Sequence, residues 1–191
     1  IFAQEMRDIF ASTWVYVAHE SEIPKRGDYI RRSMGTEPVI VSRALNAFHV
    51  VANRCAHRGN LICQAESGNR KAFSCQYHGW VYAPNGDLLD MPLTAHECPD
   101  KSKLGLRRAR VDAYRGFIFA TFNPDAPALI EHLGQAAQAI DRQCALSPDG
   151  EVQLRAPAVK HLFRANWKML SENEADGYHV GFVHDSFAKG V

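Results

Sequence analysis

The sequence predicts a β-rich protein, an antiparallel β domain followed by the beginning of an α+β domain. Three observations carry that reading. Short β-prone runs separated by turn signals recur from Tyr29 to Phe122. Pro124-Asp125-Ala126-Pro127 then interrupts the pattern. After it comes a stretch rich in Ala, Leu, Gln and Ile with helical periodicity.

In chain order, strands are expected over 38–43, 47–52, 71–75, 79–83 and 116–122. Pro84-Asn85-Gly86-Asp87 is a strong turn signal after the strand containing Trp80 and Tyr82. An amphipathic helix follows over about 128–144, ended by Ser147-Pro148-Asp149-Gly150. Residues 151–155 and 158–164 alternate as strands. Asn166 can cap a helix from Trp167 to about Asp176. The domain division expected is 1–14 as an N-terminal segment packing with the second domain, 15–127 as the β domain, and 128–191 as the start of that second domain.

Composition narrows the function classes. At 191 residues, 46% hydrophobic and 23% charged, the chain has room for one or two ordinary globular domains. Basic and acidic residues balance to a net charge of +1, and the one tight basic cluster, Arg107-Arg108-Ala109-Arg110, reads as a solvated strand edge or turn, not a nucleic-acid patch. No apolar run approaches a membrane span, and no secretory signal is visible, so a cytoplasmic location is expected. The chain opens without Met and stops directly after its densest motif, which suggests a fragment. Five unevenly spaced cysteines do not form a disulfide pattern. Only Cys55 and Cys75 have histidines at ligand spacing; Cys63, Cys98 and Cys144 read as core or surface thiols.

The first constellation is Cys55-Ala-His57-Arg58-Gly59 followed, after His57 and 17 intervening residues, by Cys75-Gln-Tyr-His78-Gly79-Trp80. Each segment offers one thiolate and one imidazole. That donor set suits a [2Fe–2S] cluster in which one iron takes two Cys and the other two His. A Cys2His2 zinc site uses the same ligand types, although zinc layouts more often pair like ligands. Unrelated buried Cys and His are the remaining reading. Gly59 and Gly79 allow tight turns beside a metal.

Cys-x-His-(17 residues)-Cys-x-x-His resembles the Rieske signature, and His57-Arg58-Gly59 with Tyr77-His78-Gly79-Trp80 resembles its oxygenase version. Respiratory-type Rieske proteins add a disulfide between the ligand loops. Here the matching positions are Asn60 and Tyr77, which implies a potential toward the low end of the Rieske range.

The second constellation lies in Asn166-Trp167-Lys168 through His184. Asp176 and His179, three apart, share a helix face. His179 and His184, five apart, diverge on an unbroken helix, and Gly181 is the expected break that lets His184 swing back. Two histidines with a carboxylate suggest a mononuclear iron site with open positions. The stretch resembles the catalytic motif of the large (α) subunit of aromatic ring-hydroxylating dioxygenases. That resemblance implies His179 and His184 as iron ligands, and Asp176 as a carboxylate bridging His179 to the cluster ligand His78 of a neighbouring subunit. The third ligand would be an Asp far downstream; Asp185, adjacent to His184, is a poor substitute.

The resemblance further implies a helix-grip-like α+β catalytic domain, a [2Fe–2S] cluster and mononuclear Fe(II). It also implies NADH electrons through a reductase, with or without a ferredoxin, an aromatic substrate with O2, and an α3 or α3β3 assembly. The spacing Glu172-Asn173-x-x-Asp176 is one residue shorter than in naphthalene-type enzymes and closer to the benzoate, toluate and anthranilate branch, although His184-Asp185-Ser186-Phe187 is not the benzoate continuation. A monooxygenase or demethylase shares these motifs. A Rieske ferredoxin-type carrier would leave Asp176, His179 and His184 unexplained. Asn173 either sits near the iron or braces the helix, Val180 and Phe182 either line a pocket or pack, and Trp80 and Trp167 read as packing anchors.

Overall fold

The computed structural model describes residues 1–92, 100–154 and 162–189, which fall into two compact units, 1–155 and 156–191. In the first unit three antiparallel sheets are assembled. One runs β1 (Val15–His19), β10 (Phe117–Thr121), β9 (Arg110–Tyr114). The middle one runs β4 (Phe48–Ala52), β3 (Glu37–Arg43), β2 (Asp28–Met34), β5 (Ser67–Asn69). The third runs β6 (Phe73–Ser74), β7 (Val81–Tyr82), β8 (Leu88–Asp90).

The run Val39-Ile40-Val41 shows why the layers stack as they do. Successive side chains of a strand point to opposite faces, and all three are fully buried. Val39 and Val41 join a core with Val17, Ile118 and Ala120 of the first sheet. Ile40 joins the opposite core with Phe73, Tyr82 and Leu88 of the third. β4 repeats the division, with Val50 on one side and Val51 on the other. A strand covered on both faces reads as a continuous apolar run, not an alternating one. Full burial of each such side chain is worth ~1.5–3 kcal/mol. The middle sheet is therefore the rigid floor beneath the third sheet, whose hairpin carries one of the Cys/His segments.

The helical stretch over 128–144 is two helices, α2 (Leu129–Leu133) and α3 (Gln135–Cys144), after a short N-terminal α1 (Phe2–Glu5). Gly134 separates them, at φ +49°, a backbone state glycine adopts without strain. Leu129 packs with Trp14 and Ala126, so 128–155 belongs by packing to the first unit. The change in texture at Pro124–Pro127 is thus a change of element type, not a break in packing. Tyr114 and Arg115 both hydrogen-bond the Asp141 carboxylate and tie α3 to the β9–β10 hairpin.

Residues 151–154 form no strand, and 162–164 form none either; the rest of the two strands expected there, and Cys98, lie outside the described residues. The basic cluster is not simply solvated. Arg107 lies over the Phe122 ring, Arg108 pairs with Asp87, and Arg110 lies over Trp14 and donates to the Pro124 and Ala126 carbonyls. Cys63 and Cys144 are buried thiols.

The second unit contains α4 (Lys168–Ala175), α5 (Val180–Val183) and α6 (Asp185–Ala188) among its described residues. Asn166 is not the N-cap of α4: the helix starts at Lys168, one residue later than expected, with Trp167 at its N-cap, while Asn166 Oδ1 accepts from the Lys168 N–H at 3.1 Å. Phe182 is 78% exposed and Val180 42% exposed in this unit, so neither packs into a core here. Among the described residues no helix is long and apolar enough to cross a membrane.

Candidate metal centres

The two Cys/His segments are built on one plan. In the first, the Gly59 N–H donates to the Cys55 carbonyl at 2.8 Å and the Cys55 N–H donates to the Asn60 carbonyl at 2.9 Å. In the second, the Gly79 N–H donates to the Cys75 carbonyl at 2.9 Å and the Cys75 N–H to the Trp80 carbonyl at 2.8 Å. Each loop therefore closes on itself four and five residues after its cysteine. The glycines that close them stand at φ +70° and +71°, and a Cβ on Gly79 would lie 2.8 Å from Pro92 Cγ. A side chain there meets both backbone strain and a clash.

Long-range contacts aim the loops. Asn53, fully buried, accepts from the Ile62 and Cys63 N–H groups and donates to the Cys63 carbonyl at 2.7 Å, fixing the return of the first loop. The β6–β7 hairpin, in register Phe73↔Tyr82 and Ser74↔Val81, presents the second. The cysteines are buried, whereas Ala56, His57, Arg58, Gln76 and Tyr77 are exposed at the tips.

The side chains converge as two pairs. The His57 and His78 rings are 4.5 Å apart at their centroids, and His57 stacks on Trp80 at 5.1 Å with 7° between planes. Trp80 is therefore part of the site as well as a packing anchor. The Tyr82 hydroxyl lies 3.2 Å from Cys55 Sγ and 3.2 Å from the Ala56 nitrogen. The Ala56 N–H donates to the phenol oxygen, which leaves the phenol's one hydrogen available to a Cys55 thiolate, a sulfur that can only accept. The Asn60 amide reaches Cys75 Sγ of the other loop at 3.8 Å. Sequence reasoning missed Asn53 and Tyr82; Tyr82 stands seven residues after Cys75, but its reach to the other loop's sulfur depends on the fold.

Burial pushes the Cys55 thiol up, partly offset by the Tyr82 hydroxyl and the His57 N–H. Burial pushes Cys75 up too, but the N–H groups of Tyr77 and His78, the Cys55 thiol and the Asn60 amide outweigh it, and the balance is downward. Desolvation lowers His78, with His57 and Arg58 adding repulsion, so its imidazole is held neutral, the form that binds metals. The decisive atom is His78 Nδ1: it is buried and has no hydrogen-bond partner. A buried nitrogen left unpaired is costly, and bonding to a metal removes that cost. Among the described residues no three His, Cys, Asp or Glu side chains gather around a single point, and a two-iron cluster, which takes two cysteines on one iron and two histidines on the other, requires no such gathering. The residues present fit a [2Fe–2S] cluster.

Residues 13–114 match the family model for the Rieske [2Fe-2S] domain. The chain belongs to the Rieske [2Fe–2S] family. Among Rieske relatives, it is 36% identical to the anthranilate 1,2-dioxygenase large subunit of Acinetobacter baylyi, over 100% of this chain and 41% of the relative. It is 41% identical to the N,N-dimethyl phenylurea N-demethylase subunit alpha of Sphingobium sp., over 96% of this chain and 41% of the relative. In structure it is similar to naphthalene 1,2-dioxygenase with indole bound, at a TM-score of 0.90 and 38% identity, covering 99% of this chain and 43% of that one. The chain thus spans about two fifths of the length of these Rieske relatives. Their identities lie close together and do not sort the chain into the anthranilate or the naphthalene branch.

In the second unit the expected break at Gly181 does not occur, since α5 runs through it. The chain turns earlier, at Asp176 (φ −85°, ψ 104°), and again at His184 (φ −109°, ψ 25°). Asp176 and His179 therefore do not share one helix, yet they meet: Asp176 Oδ2 lies 3.0 Å from His179 Nδ1, and Asp176 Oδ1 accepts from the Tyr178 N–H at 2.7 Å. The Tyr178 N–H, followed by His179, holds the Asp176 carboxyl below the usual range. The His179 and His184 rings are 5.3 Å apart. Asp185 instead begins α6 and pairs with Lys189 at 2.7 Å. Asn173 is exposed on α4, its carbonyl accepting from the Asp176 N–H, and Trp167 has Lys168 Nζ 5.4 Å from its ring.

Proposed function

We propose that this chain is part of the large (α) subunit of a Rieske non-haem iron oxygenase that adds both atoms of O2 to an aromatic ring as a cis-dihydrodiol. The observation that carries the reading is the pairing, in one chain, of the Cys55/His57 and Cys75/His78 loops with a His179/His184 pair braced by Asp176. Cys55, His57, Cys75 and His78 hold the cluster; His179 and His184 supply two ligands of a mononuclear Fe(II). The cluster supplies single electrons, and the mononuclear iron supplies O2 activation.

The chain's own residues do the rest. Tyr82 and Asn60 donate toward the two cysteine sulfurs, which bear the negative charge. Trp80 fixes the plane of His57. Asp176 holds the ring of His179 by accepting at Oδ2, the role carboxylates commonly play behind a ligating imidazole. In the assembled enzyme, an α3 or α3β3 oligomer in the cytoplasm, the same carboxylate accepts from His78 of a neighbouring subunit. By function, we assign 1–14 and 128–191 to catalysis and 15–127 to electron transfer, although Trp14 and Leu129 pack together in the first unit. NADH serves through a reductase, with or without a ferredoxin.

A second reading, hydroxylation with loss of a methyl group, is favoured by the 41% identity to a demethylase subunit. Turnover of the full-length enzyme under 18O2 separates the two. Two labelled atoms in one aromatic product support dioxygenation; an unlabelled, demethylated arylurea formed with one equivalent of formaldehyde, which carries the label until its oxygen exchanges with water, supports demethylation. NADH oxidation with neither a doubly labelled aromatic product nor formaldehyde contradicts both.

A further inference from the structure

At the open end of the β6–β7 hairpin, opposite the Cys75–Trp80 loop, lies a cavity of about 680 Å³. Arg26, Arg43, Arg70 and Lys71 line it with His49 and Asp87. None of those four cations has a carboxylate partner among the described residues. The one carboxylate, Asp87, is already occupied by Arg108 and Asn85. In a chain of net charge +1 this is a local segregation of positive charge.

The cavity is also connected to the cluster loops. Its wall includes Ala83, which follows Tyr82, whose hydroxyl contacts Cys55 Sγ. Along the hairpin, three residues from the cavity to the loop span on the order of 10 Å. We propose, resting on the oxygenase reading above, that this cavity is the docking surface of the electron-donor protein, which presents carboxylates to it. Electrons then enter from the cysteine side of the cluster, while the exposed histidine tips remain free for the neighbouring subunit.

A protein surface fits better than a small anion. Arg26, Arg70 and Lys71 are exposed, whereas a tight small-anion site desolvates its cations. Exposed charges of one sign act instead by steering encounter and fixing orientation. In the transfer a one-electron carrier of the donor protein would give up one electron, and the cluster held by Cys55, His57, Cys75 and His78 would take it up.

The test uses the full-length oxygenase and the NADH-dependent reductase purified from the same cells, with cluster bleaching followed by stopped flow. Arg26→Glu/Lys71→Glu reverses the sign of the cavity. The donor-driven rate should fall at least tenfold at low salt, a difference that shrinks as salt screens the encounter. Bleaching by dithionite and the midpoint potential should not change. An unchanged donor-driven rate overturns the docking surface, as does a loss that follows Arg58→Glu at the histidine tips instead. Saturable binding of inorganic pyrophosphate that Arg26→Glu/Lys71→Glu abolishes, with the donor rate unaffected, reassigns the cavity to a small anion. A full-length protein with no reducible cluster overturns the oxygenase reading itself.

Discussion

Tyr82→Phe isolates one hydrogen bond to a cluster ligand. The substitution keeps the buried ring and removes only the hydroxyl, which lies 3.2 Å from Cys55 Sγ and 3.2 Å from the Ala56 nitrogen. Two consequences follow. The Ala56 N–H, on an exposed residue, loses its acceptor and turns to water, which costs ~0.5–1.5 kcal/mol of stability. The sulfur loses a donor, and reduction adds negative charge that this donor stabilises more strongly in the reduced state. If that differential is ~0.5–1.5 kcal/mol, the potential falls by about 20–65 mV for one electron, at ~59 mV per 1.4 kcal/mol. The assay is a redox titration followed by visible circular dichroism on wild-type and variant proteins with matched iron content. A potential that stays put or rises, with the cluster intact, would refute the assignment of the phenol hydrogen to the sulfur.

Other perturbations separate the two centres. In the full-length enzyme His179→Ala or His184→Ala should lose the mononuclear iron and all product while Rieske absorbance persists; metal analysis and the visible spectrum check both, and joint loss contradicts the division of ligands. Asp176→Asn should retain both metals and the oligomer but collapse turnover by orders of magnitude, and cluster reoxidation at the wild-type rate in a single turnover would remove its bridging role. Asp141, held below the usual aspartate range by Tyr114 and Arg115, should stabilise the fold above that range and lose the contribution as pH falls through its folded value. Asp141→Asn should therefore lower the melting temperature at pH 7, with the gap to wild type closing in acid; a gap independent of pH would contradict the ion pair as its source.

The quartet Cys55, His57, Cys75 and His78 was legible because ligand spacing is a local property of the chain. The β runs at 38–43, 47–52 and 116–122 were legible for a similar reason: β-branched and aromatic residues are dense there, and β3, β4 and β10 occupy those places. β1, β2 and β9 were not, because their half-buried mixtures of polar and apolar residues become strands only through partners distant in sequence. Gly134 breaks a helix whose apolar periodicity runs on across it. Tyr82, Asn53 and Trp80 owe their roles to where folding brings them: against Cys55, against Cys63 and against His57. The bend at Asp176 was hidden because Gly181 offered the more obvious break, yet the Asp176–His179 contact survives either geometry.

The central claim is that two histidines, His57 and His78, share one cluster with two cysteines. The most direct measurement is electron–nuclear double resonance on the dithionite-reduced protein grown with 15N-histidine. The account predicts red-brown protein with two irons and two acid-labile sulfides per chain, and coupling to two histidine nitrogens. Cys55→Ser or Cys75→Ser should abolish the signal, and Cys63→Ser or Cys144→Ser should leave it. Colourless protein carrying one zinc per chain, or an iron–sulfur signal without histidine coupling, would contradict it.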